Sequence, residues 1–348
     1  MSISDTAYKW VESFLRFPSA GLDISDENAK IAALSFQGSI REDFFDANEI
    51  PRGIIEQGEI KNEEEFIRVF REWVGRKKKF FQSHSFSVSL PEEKGFVRLL
   101  EIPKVKADEV RGAIHWEVES NIPLRSEELY YDYEVVDQGG HKDHLDVMLI
   151  AYPRVTVDSY MRNLLAAGVR LAAFECESQA VARALLLNQI TSVAHILVDI
   201  GRMRTGLVVV ENGALVFTTT VSMGGATFEA MIAKELNVGA VEATRLKKEI
   251  GLDRAAMGGS VFSSLVPTIA ALASEIHRAI EFYQDRVARH GGIITPLSSV
   301  MLSGGDANLF GLDTYLEATL RVPVLHGEPF SSLRAHSGVL VPALMKNE

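Results

Sequence analysis

Strand-like and helix-like patterns of hydrophobic residues alternate along the whole chain. Alternating or continuous apolar runs predict strands, and apolar residues three and four positions apart predict helices between them. The helix predicted over 62–79, for example, places Phe66, Phe70 and Trp73 on one buried face. Such alternation favours an α/β or α+β fold over an all-β sandwich or a helical bundle.

Two predicted hairpins share one pattern. In the first, strands at 20–24 and 30–36 are joined by the polar turn Ser25-Asp26-Glu27-Asn28. In the second, strands at 195–200 and 205–211 are joined by Gly201-Arg202-Met203-Arg204. The first strand of each hairpin ends in Asp-Ile. The chain is therefore predicted to use one strand-turn-strand motif twice.

A compact block lies between residues 94 and 173. Its pattern predicts strand, helix, strand, strand and helix at 95–102, 107–120, 130–136, 145–152 and 155–167. Val110, Ile114 and Val118 fall at four-residue spacing in the first helix, and Pro123 stops that helix. This order predicts a small sheet with helices on one face.

The rest of the second half adds a strand at 215–221, three helices, a buried strand at 299–303 and a last helix at 312–320. The three helices are predicted at 227–236, 239–250 and 265–290. The buried strand leads into the glycine pair Gly304-Gly305.

Composition narrows the function classes. A chain of 348 residues with 47% hydrophobic residues predicts two lobes or one large compound domain. Its formal net charge of -11 argues against a nucleic-acid binder that relies on attraction to phosphate. The single cysteine, Cys176, cannot form an internal disulfide, which predicts a reducing cytoplasm. No apolar run approaches the length of a membrane span, and the first 17 residues lack the pattern of a signal peptide.

The second hairpin carries the clearest candidate chemistry. A strand ending in Asp199-Ile200-Gly201 can present backbone N–H groups to a phosphate, and its aspartate can hold a hydrated Mg²⁺. A purely structural hairpin is the alternative. In the first hairpin Asp26 and Glu27 occupy the turn, so that turn is expected to oppose phosphate.

The remaining candidates are weaker. The Gly304-Gly305 loop would let a base or ribose lie against the main chain, but it is equally an ordinary turn. Glu275 and Arg278 have the spacing of a solvated helix face. A metal at His141 and His144 is disfavoured, and no base is apparent beside Cys176.

These strings, taken in order, resemble the PilM family of the actin-like ATPases over nearly the whole chain. The inserted block carries the most distinctive ones, 99–103, 115–124 and 131–133. Asp199-Ile200-Gly201, 221–225, 275–283 and 302–305 match the second lobe in order. The resemblance implies an α/β, bilobed, actin-like (ribonuclease H-like) fold with a small α+β subdomain inserted in the first lobe.

The implied domain division has five parts. An N-terminal amphipathic helix covers 1–18, the first lobe covers 19–93 and 174–192, and the small subdomain covers 94–173. The second lobe covers 193–332, and a C-terminal helix at about 333–348 is expected to return to the first lobe.

The resemblance also implies a site for ATP and Mg²⁺ between the lobes. Asp23 and Asp199 would hold the metal, and Glu177 falls near the position of a hydrolytic carboxylate. The expected nucleotide-binding residues are Asp23, Ser25, Lys30, Asp199, Gly201, Thr205, Gly224, Gly225, Lys247, Glu275, Arg278, Gly304 and Gly305. The family's first turn has glycine and serines where this chain has Ser25, Asp26 and Glu27, so this phosphate loop is degenerate. Arg202 and Arg204 stand where small residues are usual, and they could bind phosphate or fill its space.

The function implied is a scaffold of the type IV pilus assembly platform, with no efficient catalysis. It would bind the N-terminal cytoplasmic tail of a PilN-like inner-membrane protein, in a groove near residues 99–133, at the cytoplasmic face of the inner membrane. Other platform or motor proteins are implied as partners, with no nucleic acid and only indirect membrane contact, and self-association is left open. The alternatives are an ATP-binding switch or slow ATPase, and a filament protein like FtsA whose N-terminal helix touches lipid.

Overall fold

The computed structural model describes residues 19–33, 45–106, 109–136, 144–186, 193–290 and 295–329, with side chains up to 286 in the long helix that ends at 290. The helices predicted over 1–18 and 333–348, and the residue His141, lie outside the described residues.

Fifteen strands and nine α-helices form the described part of the chain. The strands are β1 Ser19–Ile24, β2 Asn28–Ala32, β3 Phe45–Glu49, β4 Ile55–Glu56, β5 Glu59–Ile60, β6 Ser85–Leu90, β7 Phe96–Pro103, β8 Leu129–Val135, β9 His144–Pro153, β10 Leu171–Cys176, β11 Ala194–Ile200, β12 Thr205–Glu211, β13 Ala214–Val221, β14 Leu297–Ser303 and β15 Val324–His326. The helices are α1 Glu63–Arg76, α2 Lys78–Ser83, α3 Val110–Asn121, α4 Arg154–Ala167, α5 Glu177–Leu186, α6 Gly225–Leu236, α7 Ala240–Glu249, α8 Ser260–His290 and α9 Leu312–Leu320.

The two large sheets have the same strand order. The first-lobe sheet runs β3-β2-β1-β6-β10, and the second-lobe sheet runs β13-β12-β11-β14-β15. In each sheet the first three strands pair antiparallel with their neighbours. The first strand of the hairpin, β1 or β11, then pairs parallel with β6 or β14, which pairs parallel with the last strand, β10 or β15. The predicted repeated hairpin is therefore the start of a repeated five-stranded sheet.

Aromatic packing builds the core of the first lobe. Helix α1 begins after Asn62, whose side chain accepts a hydrogen bond from the N–H of Glu65 at 3.1 Å. Its buried face carries Phe66, Phe70 and Trp73, as the apolar spacing predicts. The helix ends at Arg76, and the short helix α2 takes the rest of the predicted 62–79 segment.

The inserted block folds as a three-stranded antiparallel sheet in the order β7-β9-β8. Helix α3 covers one face with the three apolar residues that its spacing predicts, Val110, Ile114 and Val118. Helix α4 was predicted on that same face, and this is wrong: its buried residues Val157, Tyr160 and Leu164 pack into the first-lobe core. The small sheet thus lies between α3 and the first lobe.

The second lobe is built around the long helix α8. The expectation that no apolar run approaches the length of a membrane span is wrong, because Ala256–Arg286 is long and apolar enough by length and composition alone. Its residues Leu265, Ile269, Leu272 and Ile276 are fully buried in the core against the second-lobe sheet. The packing identifies it as the core helix of the lobe. The predicted domain boundaries stay predictions.

Candidate functional site

The two Asp-Ile strand ends hold equivalent positions in the two sheets. Ser89, near the end of β6, donates a hydrogen bond from its hydroxyl to Asp23 Oδ1 at 2.7 Å. Ser303, at the end of β14, donates in the same way to Asp199 Oδ1 at 2.9 Å. Because β6 and β14 occupy the same place in the repeated sheet, one serine–aspartate pair is built twice.

Three carboxyl groups share the cleft between the lobes. Burial raises the pKa of Asp199; the hydrogen bond from Ser303 opposes that rise, and the charge of Asp23 adds to it. Burial also raises the pKa of Glu177 to about 8, where Arg204 opposes the rise and Asp23 again adds to it. The charge of Asp23 acts on both groups, and Arg204 of the second turn contacts Glu177 at 3.4 Å, so these carboxyl groups border one cleft. The prediction that the two hairpins face each other is confirmed.

The first turn, Ser25 to Glu27, is engaged with its own lobe. The Ser25 hydroxyl donates to the carbonyl of Asn28 at 3.1 Å. The Asp26 carboxylate accepts hydrogen bonds from the N–H groups of Gln57 and Gly58 at 3.1 and 3.0 Å. These contacts fix the turn and leave its acidic side chains at the cleft.

The second turn, Gly201 to Arg204, reaches across to the first. The N–H of Gly201 donates to the carbonyl of Arg204 at 2.9 Å and closes the turn. Arg202 donates from Nε to Glu27 at 2.5 Å, and its other arm pairs with Glu229 at 3.1 Å. Arg202 therefore links the first turn to the second lobe.

Arg204 meets three carboxylates. It pairs with Glu93 and Glu177, the latter at 3.4 Å, and lies 3.7 Å from Asp26. Its side chain is only 15% exposed. Glu93 and Glu177 stand just outside the two ends of the small subdomain, so Arg204 also holds the connections to that subdomain.

Lys247 is buried at the second-lobe side of the cleft. It pairs with Glu229 at 2.9 Å and with Asp306. The Asp306 carboxylate lies over Gly225, where a Cβ atom would overlap it. Lys247 is thus neutralised by side chains of its own lobe.

Two glycines near the cleft permit close backbone packing. Gly304 has a φ of +89°, and a Cβ there would overlap the carbonyl of Ile200 and lie 2.8 Å from Asp199 Oδ1. A Cβ on Gly224 would overlap the carbonyl of Gly201. Gly224 and Gly304 therefore allow the main chain to pack closely against the second turn and against β11.

The other predicted site residues have structural or peripheral places. Thr205 is buried and donates to the carbonyl of Met223 at 2.7 Å, which ties the second turn to the end of β13. Lys30 is exposed on β2, and its charge opposes the rise in the pKa of Asp199. Glu275 and Arg278 pair with each other on α8, and no contact recorded for the described residues joins them to the cleft. Gly305 has no heavy atom near its Cβ position.

Sequence reasoning missed four partners of the cleft network, Ser89, Glu93, Glu229 and Asp306. Each is distant in sequence from its partner, and no local pattern marks it. Opposite charges in the two turns, at Asp26 and Glu27 against Arg202 and Arg204, were the signal that could have indicated direct pairing.

The chain is similar to known proteins both in sequence family and in fold. The family described as "Type IV pilus assembly protein PilM" matches residues 21–348. A solved structure described as a PilM-PilN type IV pilus biogenesis complex is 19% identical, covers 91% of this chain and 90% of its own, and has a TM-score of 0.75.

Two further solved structures have lower scores. MreB5 of Spiroplasma citri bound to ADP is 13% identical, covers 91% of this chain and 93% of its own, and has a TM-score of 0.57. The ethanolamine utilization protein EutJ of Carboxydothermus hydrogenoformans is 16% identical, covers 89% and 84%, and has a TM-score of 0.54. These likenesses confirm the predicted actin-like α/β fold.

Proposed function

Since this chain belongs to the type IV pilus assembly protein PilM family, we propose that it is a cytoplasmic scaffold of the pilus assembly platform. It binds the N-terminal cytoplasmic tail of a PilN-like inner-membrane protein and is held at the inner membrane through that partner. The observation that carries the proposal is the family match over residues 21–348, together with the fold likeness to the PilM-PilN complex.

The small subdomain offers a surface suited to an extended tail. Strand β8 lies at the edge of its sheet, where a peptide can add as a further strand. Trp116 on α3 is 70% exposed, whereas Tyr130 of β8 lies on the α4 side of the sheet, where Arg154 covers its ring and its hydroxyl donates to Asp158. Aromatic side chains of this kind are enriched at the energetic centres of interfaces.

The tail proposal predicts 1:1 binding of a synthetic peptide. Isothermal titration of the full chain with the N-terminal peptide of the PilN-like protein should give a micromolar Kd, and a scrambled peptide should give no heat. Trp116→Ala should weaken binding at least fivefold, about 1 kcal/mol, because an exposed aromatic anchor is lost. Val241→Ala, at a position 87% exposed on the second lobe, serves as the matched control. Absence of heat at high micromolar peptide would contradict the proposal.

An ATP-binding switch is the second candidate function, and the convergence of Asp23, Asp199 and Glu177 favours it. If nucleotide bound, Asp23 and Asp199 would hold its Mg²⁺, and the metal would screen the phosphate charge. The present residues do not fit that group. The two turns that would receive the phosphates are joined by Arg202 and Glu27 at 2.5 Å, and Lys247 is already paired with two carboxylates.

We therefore propose that nucleotide binding is degenerate in this chain and that the scaffold role does not depend on hydrolysis. The acidic first turn supports this conclusion, since Asp26 and Glu27 would face the phosphates directly.

A further inference from the structure

Glu27 lies between two arginines that come from different lobes. Its carboxylate accepts a hydrogen bond from Arg202 Nε of the second turn at 2.5 Å and from Arg52 Nε of the first lobe at 2.9 Å. The Glu27 side chain is 17% exposed and that of Arg202 is 35% exposed, so this contact between the lobes is partly shielded from water, whereas Arg52 is 75% exposed. An anion held between two arginines is the arrangement expected of a phosphate site, and here the anion is a side chain of the protein.

Arg204, two residues after Arg202, makes a second connection between the lobes. It lies 3.7 Å from Asp26 of the first turn and pairs with Glu93 and Glu177 of the first-lobe side. Arg202 and Arg204 thus direct their charges at both acidic residues of the first turn. We define these four side chains, Asp26, Glu27, Arg202 and Arg204, as the interlobe clasp.

We infer that the interlobe clasp is a built-in substitute for a bound polyphosphate: the acidic side chains of the first turn occupy the anion position of the second turn's arginines and hold the lobes together. A polyphosphate could reach Nε of Arg202 only by displacing Glu27. It would also bring its charge close to Glu177 and Asp199, whose burial raises the pKa of each carboxyl group. The clasp therefore occludes a latent site for polyphosphate anions.

The inference rests on the geometry of the cleft and is independent of tail binding. It also gives the clasp a mechanical role, because Glu93 and Glu177 flank the small subdomain and are fixed by the same arginine. The cleft and the base of the small subdomain are one connected unit.

Removing the internal anion tests the inference. In Asp26→Asn with Glu27→Gln, the shapes are kept and two negative charges are lost. We expect this variant to bind Mg·tripolyphosphate and Mg·ATP at least tenfold more tightly than the wild-type chain in isothermal titration, because Arg202 and Arg52 are released. The matched control is Glu242→Gln with Glu249→Gln, which makes the same charge change around Arg245 on an exposed helix face. The control should bind no more tightly than the wild-type chain.

Three outcomes would overturn the inference: equal gains in the cleft variant and the control, no gain in the cleft variant, or tight binding by the wild-type chain itself. Asp26 also accepts two backbone hydrogen bonds, so Glu27→Gln alone is the second variant if the double variant does not fold. The Glu27 carboxylate forms ion pairs with Arg52 and Arg202, both of which an amide can still accept hydrogen bonds from. The single variant should therefore fold and still gain polyphosphate binding.

Discussion

Replacing Arg204 with methionine is expected to lower the free energy of unfolding by about 3–5 kcal/mol, because the change leaves buried carboxylates without their counter-charge. Asp26, Glu93 and Glu177 all face this guanidinium. Burial already raises the pKa of Glu177 to about 8 with Arg204 present, so removal of the arginine raises that pKa further. The Arg204→Met variant should therefore be most stable at a pH at which these carboxyl groups are protonated.

The loss in Arg204→Met should therefore grow as the pH rises. An acid whose pKa is higher in the folded state takes up a proton on folding, so stability falls with increasing pH between the unfolded and folded pKa values. In the wild-type chain the free energy of unfolding should therefore fall between pH 4.5, the ordinary pKa of a glutamate, and about 8, the pKa of Glu177. In the variant the decline should continue to a higher pH.

Urea unfolding at pH 6 and pH 8.5, followed by circular dichroism, measures both effects. Arg245→Met is the matched control, because Arg245 pairs with Glu242 and Glu249 on the exposed face of α7. Exposed pairs contribute little, so the control should lose less than about 1 kcal/mol. Equal losses in the two variants would show that the cleft carboxylates do not depend on Arg204.

Replacing Gly304 with alanine is expected to lower the free energy of unfolding by about 2–6 kcal/mol. Its φ of +89° and ψ of 160° lie in a region that is essentially restricted to glycine, which accounts for about 1–3 kcal/mol of strain. The new Cβ would also overlap the carbonyl of Ile200 and lie 2.8 Å from Asp199 Oδ1. The carbonyl belongs to the central strand β11, which cannot move without disturbing its neighbours, so overpacking adds about 1–3 kcal/mol.

The next residue supplies the control for Gly304→Ala. A Cβ on Gly305 would meet no heavy atom within 4 Å, and Gly305 has no positive φ. Gly305→Ala should therefore change the free energy of unfolding by less than about 0.5 kcal/mol in the same urea titration. Similar losses at both positions would contradict the close contact between the glycine loop and β11.

The sequence predicted the parts of the fold that depend on local pattern. The two Asp-Ile hairpins, the aromatic face of α1 and the apolar face of α3 all lie where spacing predicts them. These features depend on residues within a few positions of one another. The regular spacing of apolar residues in these elements is a stronger signal than the preferences of single residues.

Other parts depended on packing that no local pattern records. Helix α8 begins at Ser260, five residues before its predicted start, and continues through Pro267. Burial of Val261 and Leu265 in the second-lobe core offsets the hydrogen bond that this proline cannot donate. Strands β10 and β15 went unpredicted because each completes a sheet through pairing with a distant strand.

The candidate site likewise contains some residues that the sequence predicts and others whose partners depend on the fold. Asp23 and Asp199 were predicted from the hairpin motif and Glu177 from the family resemblance, and the charge of Asp23 acts on both of the others. Arg202 and Arg204 were recognised as departures, but whether they would bind phosphate or fill its space depended on how the two turns face each other. The structure pairs them with Glu27 and Asp26, across about 175 residues of sequence. Only tertiary contact decides such a pairing.

The distance between the lobes in solution tests the central claim, that internal ion pairs hold the cleft closed without nucleotide. Spin labels on cysteines at Glu64 in the first lobe and Val241 in the second, with Cys176 replaced by alanine, report this distance by double electron–electron resonance. The account predicts one narrow distance distribution that millimolar Mg·ATP leaves unchanged. A broad distribution that narrows or shifts when Mg·ATP is added would contradict it.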